Sequence, residues 1–213
     1  MLTLQSGVSR GGIDNLALFT KIYRVEDADI VDVSRIEKIN TLSKLIMPHV
    51  TILIIGSDIV VSQDLILEYT SFKSEYSVNN LLVLASMVDC WHQEELVHGD
   101  LCLSNLGSHR DAVYVFDWEP LLVWGHDCGV MLRTTPYCLH PHDKKKRCIS
   151  KLTDRYAVAV LLLIKAKSIK GRRFYISEHK KTAAEYSADD RYRCTDIVRK
   201  MADRVGISDY AFL

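Results

Sequence analysis

The sequence predicts an α+β fold, in which apolar runs of strand type and segments of helical periodicity both occur. Three observations lead there. Leu16–Tyr23 and Thr51–Ile55 are apolar runs of strand type, Val78–Glu94 repeats apolar residues at helical spacing, and Val113–Phe116 is a short apolar strand ending at an acid. With 213 residues, 48% hydrophobic and 25% charged, the chain has enough apolar material for one large domain or for one small lobe and one larger lobe.

The elements follow in chain order. Gly7-Val8-Ser9-Arg10-Gly11-Gly12 is a glycine-rich segment of the kind that forms turns. In the apolar run after it, one basic residue stands out, Lys21. Ser34 is then a helix N-cap, with Ile36, Ile39, Leu42, Leu45 and Ile46 recurring at helical spacing and Glu37 within the same helix. Pro48-His49-Val50 leads from this helix into the strand Thr51–Ile55. From Val78 to Glu94, Leu81, Leu82, Leu84, Ala85, Val88 and Trp91 mark a core helix. Ala188–Val205 reads as a further amphipathic helix.

Between these helices lies the segment Leu96-Val97-His98-Gly99-Asp100-Leu101-Cys102-Leu103-Ser104-Asn105, followed by Phe116-Asp117-Trp118-Glu119. An acid, an amide five residues on and a second acid at a strand end are the parts that an electrostatically stabilised phosphoryl transfer requires. Asp100 is placed to orient an acceptor hydroxyl. Asn105 and Asp117 offer the hard oxygen ligands that Mg²⁺ takes.

These residues resemble the protein-kinase-like superfamily, whose catalytic loop has the form His-Arg-Asp-Leu-x-x-x-x-Asn and whose metal-binding strand ends in Asp-Phe-Gly. Gly99 and Asp117-Trp118-Glu119 look more like the branch of aminoglycoside and choline phosphotransferases. The resemblance implies a two-lobed kinase-like fold, with a reduced antiparallel β N-lobe over 1–70 and a mainly helical C-lobe over 71–213, in one domain spanning 1–213. It also implies ATP and Mg²⁺ as cofactors. Lys21 would hold the phosphates, Glu37 would position Lys21, and Gly7, Ser9 and Gly12 would form the phosphate-covering loop. Asp64–Thr70 would be strand and hinge, with Leu67 as gatekeeper and the backbone of Glu68 and Tyr69 meeting the adenine. Thr134–His142 is similar to the end of an activation segment, with Cys138 in place of tyrosine and His142 in place of glutamate. Asp154, at the head of a helix over Thr153–Leu163, would brace the catalytic loop.

The departures shape the functional expectation. Cys102 stands where many serine/threonine kinases carry a lysine, so charge stabilisation falls to Lys21 and the metal ions. Gly99 removes the arginine that grips a phosphorylated loop, which argues against control by phosphorylation at Thr134 or Thr135. The leading expectation is an atypical serine/threonine protein kinase. The alternatives are a small-molecule kinase for an aminoglycoside, sugar or choline-like alcohol, with Glu119 and Asp127 lining an acidic pocket, and a partner-binding pseudokinase. A protein substrate is the expected partner, and a second protein could complete the small N-lobe.

A net charge of zero supplies no global field toward nucleic acid or membrane, and the runs Lys144–Arg147 and Lys170–Arg173 read as solvated loops. No apolar stretch reaches the roughly eighteen residues of a membrane span, and no signal-peptide pattern opens the chain, so a cytoplasmic protein with six reduced cysteines is expected. Cys128, Cys138, His140, His142 and Cys148 could ligate zinc but lack close Cys-x-x-Cys pairs.

Overall fold

The computed structural model describes residues 2–10, 17–25, 33–43, 46, 48–64, 66, 68–109, 112–118, 135, 137–146 and 148–207. They fall into two compact units, Met1–Tyr69 with Tyr114–Leu132, and Thr70–Val113 with Arg133–Leu213. The boundary at Tyr69 lies beside the expected one, but residues 114–118 group with the first unit and not with the second.

The first unit is built on an antiparallel sheet of β1 (Leu2–Arg10), β2 (Ala17–Val25), β3 (Val50–Ile55) and β4 (Asp58–Asp64), in the order β1-β2-β4-β3. Register explains its core. Tyr23 pairs with Ile59, Lys21 with Val61, and Val61 in turn with Ile52, and side chains two apart along a strand share a face. Tyr23, Ile52, Ile59 and Val61 are buried. Lys21 therefore stands on the inner face, among apolar neighbours. Against β3 packs α1 (Val33–Thr41), which buries Arg35, Ile36 and Ile39. The helix is shorter than the expected stretch to Ile46, and Ser34 lies inside its first turn and does not cap it. Asn40 fastens it: its Nδ2 donates to the Ile52 carbonyl at 2.8 Å and its Oδ1 accepts from the Ile52 amide at 2.7 Å.

The second unit carries β5 (Thr70–Ser71), β6 (Leu106–His109) and the start of β7 (Ala112–Val115), in the order β5-β6-β7, with the helices α2 (Val78–Gln93), α3 (Pro141–Lys146), α4 (Lys151–Lys170), α5 (Ile176–Ala188) and α6 (Cys194–Arg204). Strand β4 ends at Asp64 and β5 opens at Thr70, and of the expected strand and hinge between them Leu65 and Leu67 lie outside the described residues. Ser77 starts α2 through a reciprocal capping box with Asn80. Every residue from Thr153 to Leu163 is buried, so α4 is the central helix, with α2, α5 and α6 around it. At the start of α6, the Asp89 carboxylate on α2 accepts from the Cys194 amide at 2.6 Å and the Thr195 amide at 3.2 Å. The expected helix from Ala188 begins late because Asp189 folds back on Arg191, while Arg155 Nη2 donates to the Asp189 carbonyl at 2.7 Å. Among the described residues, no helix is long and apolar enough to cross a membrane.

Candidate active site

In the second unit, the segment from His98 to Asn105 is shaped by hydrogen bonds that its own residue types make available. Asp154 is fully buried at the head of α4, and its two oxygens accept from the backbone amides of His98 and Gly99, each at 2.8 Å. His92 on α2 adds a third contact, Nε2 to Oδ2 at 3.3 Å. Burial by itself would raise the Asp154 carboxyl, but the His92 hydrogen bond, the positive charge around it and the Gly99 amide outweigh that, and its pKa lies below the ordinary aspartate value. Gly99 sits at φ 89°, in the left-handed region that favours glycine, which gives a backbone reason for glycine beside Asp100.

His98 is buried, and its Nδ1 accepts from the Asp100 amide at 3.1 Å. An accepting Nδ1 fixes the tautomer with the proton on Nε2. Asp100 itself is held from two sides. Its Oδ1 accepts from the Thr135 amide at 2.7 Å and its Oδ2 from Asn105 Nδ2 at 3.0 Å. Asn105 Nδ2 also donates to the Asp100 carbonyl at 3.0 Å, so both amide hydrogens turn toward Asp100 and Oδ1 remains as an acceptor. Asp100 and Asn105, five residues apart in sequence, thus act as one rigid pair.

Residues the sequence reading passed over support this loop. Asp143, 1% exposed, accepts from Ser150 N at 3.0 Å, from Ser150 Oγ at 2.8 Å and from Thr153 Oγ1 at 2.7 Å, anchoring α3 to the start of the helix that bears Asp154. Cys138 lies buried near Asp100, and burial pushes its thiol well up. Among the described residues no group of three or more His, Cys, Asp or Glu could hold a metal ion. In the same region His140 faces the Ala184 carbonyl at 3.2 Å, and Cys128 lies outside the described residues.

In the first unit, Lys21 and Asp117 come together as an ion pair, with side chains 14% and 33% exposed. Asp117 stands at φ 66°, a conformation that is costly for a residue with a Cβ and that concentrates at functional sites. The strand leading to it is fixed by Gln63 Nε2, buried on β4, which donates to the Val115 carbonyl at 3.0 Å. Tyr69 packs its ring on Phe116 at 4.9 Å. Glu68 and Tyr69 are exposed.

Two expectations are corrected here. Glu37 is exposed on α1 and does not meet Lys21, whose ammonium pairs with Asp117. The reason is rotational: Ile36 and Ile39 face inward, and a neighbour of Ile36 is turned about 100° from that stripe. Gly7 and Ser9 lie within β1, opposite Thr20 and Leu18, and so belong to a strand and not to a phosphate-covering turn; Gly12 lies outside the described residues. The gatekeeper position Leu67, the acids Glu119 and Asp127, and Thr134 also lie outside them.

No protein-family model and no curated protein matches the chain. Solved structures do. A double mutant of the Mycobacterium tuberculosis PknI kinase domain is similar with a TM-score of 0.61 at 14% identity, covering 94% of this chain and 90% of that one. A single mutant of the same domain gives a TM-score of 0.53 at 13% identity, covering 94% and 96%. At such identity the likeness is one of architecture, and it agrees with a small antiparallel sheet followed by a helical unit. The chain has an α+β, two-lobed protein-kinase-like fold.

Proposed function

We propose that the chain is an ATP- and Mg²⁺-dependent phosphotransferase whose acceptors are serine or threonine hydroxyls of proteins. The observation that carries this is the Asp100–Asn105 pair, in which the carboxylate is oriented by two amides and the amide oxygen is left to accept. Each Asp100 oxygen takes one hydrogen bond and keeps a second lone pair. An acceptor hydroxyl donating to one of these would be aligned for attack, and Asp100 would take its proton.

Asn105 Oδ1 and the Asp117 carboxylate are each hard oxygen donors of the kind Mg²⁺ selects. Such an ion would supply positive charge to neutralise the nucleotide phosphates. Lys21, now paired with Asp117, is the cation on the inner face of the first unit that would meet those phosphates. Support for a protein acceptor comes from Thr135, which lies in the expected 134–142 segment and whose amide donates to Asp100. In a peptide-phosphorylating enzyme that segment would be the platform beside the acceptor hydroxyl.

The test is incubation with γ-labelled ATP, Mg²⁺ and a protein mixture, followed by mass-spectrometric mapping of phosphorylated residues. Label on serine or threonine is expected, with a fall of at least about a hundredfold in Asp100→Ala and Asp117→Ala. Equal transfer by wild type and Asp100→Ala would overturn the assignment, and label found only on small alcohols would overturn the protein acceptor.

A further inference from the structure

The second unit carries a cationic surface that phosphoryl transfer does not use. From Arg155 to Ser177 the sequence contains no aspartate or glutamate, yet Lys165, Lys167, Lys170, Arg172 and Arg173 fall within it. Lys167 is committed, since its Nζ donates to the Phe174 carbonyl at 2.7 Å. Among the described residues none of the other four pairs with an acid. Lys170, Arg172 and Arg173 are exposed at the end of α4, where Gly171 at φ 71° turns the chain. Their charge is therefore uncompensated and presented outward.

Beside this end of α4 opens a cavity of about 500 Å³ within the same unit. Lys165 and Ile169 line it, and residues four apart on a helix share a face. Its wall includes the Tyr76 ring, over which Lys165 Nζ stands at 5.4 Å, together with Ser77, His109 and Ile207. Tyr76 is a rigid wall, because its hydroxyl donates to the Leu161 carbonyl at 2.8 Å and its ring stacks on Phe72 at 4.8 Å. Gly206 lines the cavity as well, and a Cβ there would stand 3.3 Å from Lys170 Nζ, so a second ammonium lies at its rim. Glu75 is the one acid among the lining residues. Ile169 and Tyr175, each 57% exposed, add apolar surface on the same stretch.

A flat anionic surface would need only the outward cations. A concave, partly apolar pocket with Lys165 in its wall and Lys170 at its rim suits a chain that inserts one apolar side chain while its acids meet these cations and the arginines that follow. We infer that this face is a docking site for an acidic, unstructured peptide segment of a partner protein, which seats an aliphatic or aromatic side chain in the cavity and pairs its carboxylates with Lys165, Lys170, Arg172 and Arg173. The site lies wholly in the second unit and stands whether or not the chain transfers phosphate.

The probe is a fluorescein-labelled peptide rich in Glu and Asp around one Leu and one Phe, titrated with the full chain and followed by anisotropy. Binding is expected, weakened about tenfold or more by Lys165→Glu with Lys170→Glu, and separately by Arg172→Gln with Arg173→Gln, which touch only exposed side chains. Ile169→Ser should weaken the wild-type peptide but not one whose Leu and Phe are replaced by Ser. Far-UV circular dichroism establishes that each variant is folded, and the Arg172/Arg173 pair decides the matter should the lysine variant unfold. No binding by the wild type, equal binding of a Lys-rich control peptide, or unchanged binding by the Arg172/Arg173 variant would overturn the inference. So would tighter binding to phosphatidylserine vesicles or duplex DNA than to the peptide, each of which would assign the charge to a different class of ligand.

Discussion

Replacing Asp154 by alanine should cost more than any other single change in the loop that holds Asp100. The carboxylate is fully buried and accepts two amide hydrogens at 2.8 Å and His92 at 3.3 Å. Without it the amides of His98 and Gly99 are stranded away from water, at about 1–3 kcal/mol each. With the His92 contact also lost, the sum is about 4 kcal/mol. At about 2–4 °C per kcal/mol for a chain of this size, the melting temperature should fall by about 8–16 °C. Asp154→Asn keeps one acceptor oxygen and should lose about half as much.

The assay is thermal unfolding followed by circular dichroism, repeated from neutral to acidic pH. Because the folded pKa of Asp154 lies below its unfolded value, its contribution is present above the ordinary aspartate pKa and is lost as pH falls through the lowered one. The gap between wild type and Asp154→Asn should therefore be widest at neutral pH and narrow in acid, below about pH 4. A shift under about 3 °C in Asp154→Ala at pH 7, or a gap that widens on acidification, would refute the bracing role.

Three further outcomes follow from separate contacts. Asn40→Ala removes both hydrogen bonds between α1 and Ile52, and should destabilise the first unit by about 1–3 kcal/mol, read as faster amide exchange in β3. Gly99→Ala places a Cβ at φ 89° and should cost about 1–2 kcal/mol in urea unfolding and lower transfer activity along with it. In the native protein at neutral pH, exposed Cys90 should react with a thiol reagent ahead of Cys102, Cys138 and Cys194, which are buried; burial also holds the thiols of Cys138 and Cys194 well above the usual range, and they should react only on unfolding.

Local pattern and chemistry by themselves determined much of this protein. The strand character of β2, the helix from Val78, the order of Asp100, Asn105 and Asp117, and the α+β class are written in periodicity and spacing, which depend on neighbours along the chain. The resemblance to the protein-kinase-like superfamily also pointed to Asp154 as a brace for the loop. The tertiary structure alone decided the rest. Glu37 faces outward because Ile36 and Ile39 claim the inner stripe of α1, and no periodicity says which partner a charged residue beside that stripe will meet. Lys21 finds Asp117 across 96 residues of chain. Gln63, Asp143 and Thr135 gain their roles through hydrogen bonds that close only when separate segments are packed together, and the cavity beside Lys165 has no sequence signal because residues from 70 to 207 build it. Spacing determines what a segment can become; desolvation and packing decide which polar groups are left to find one another.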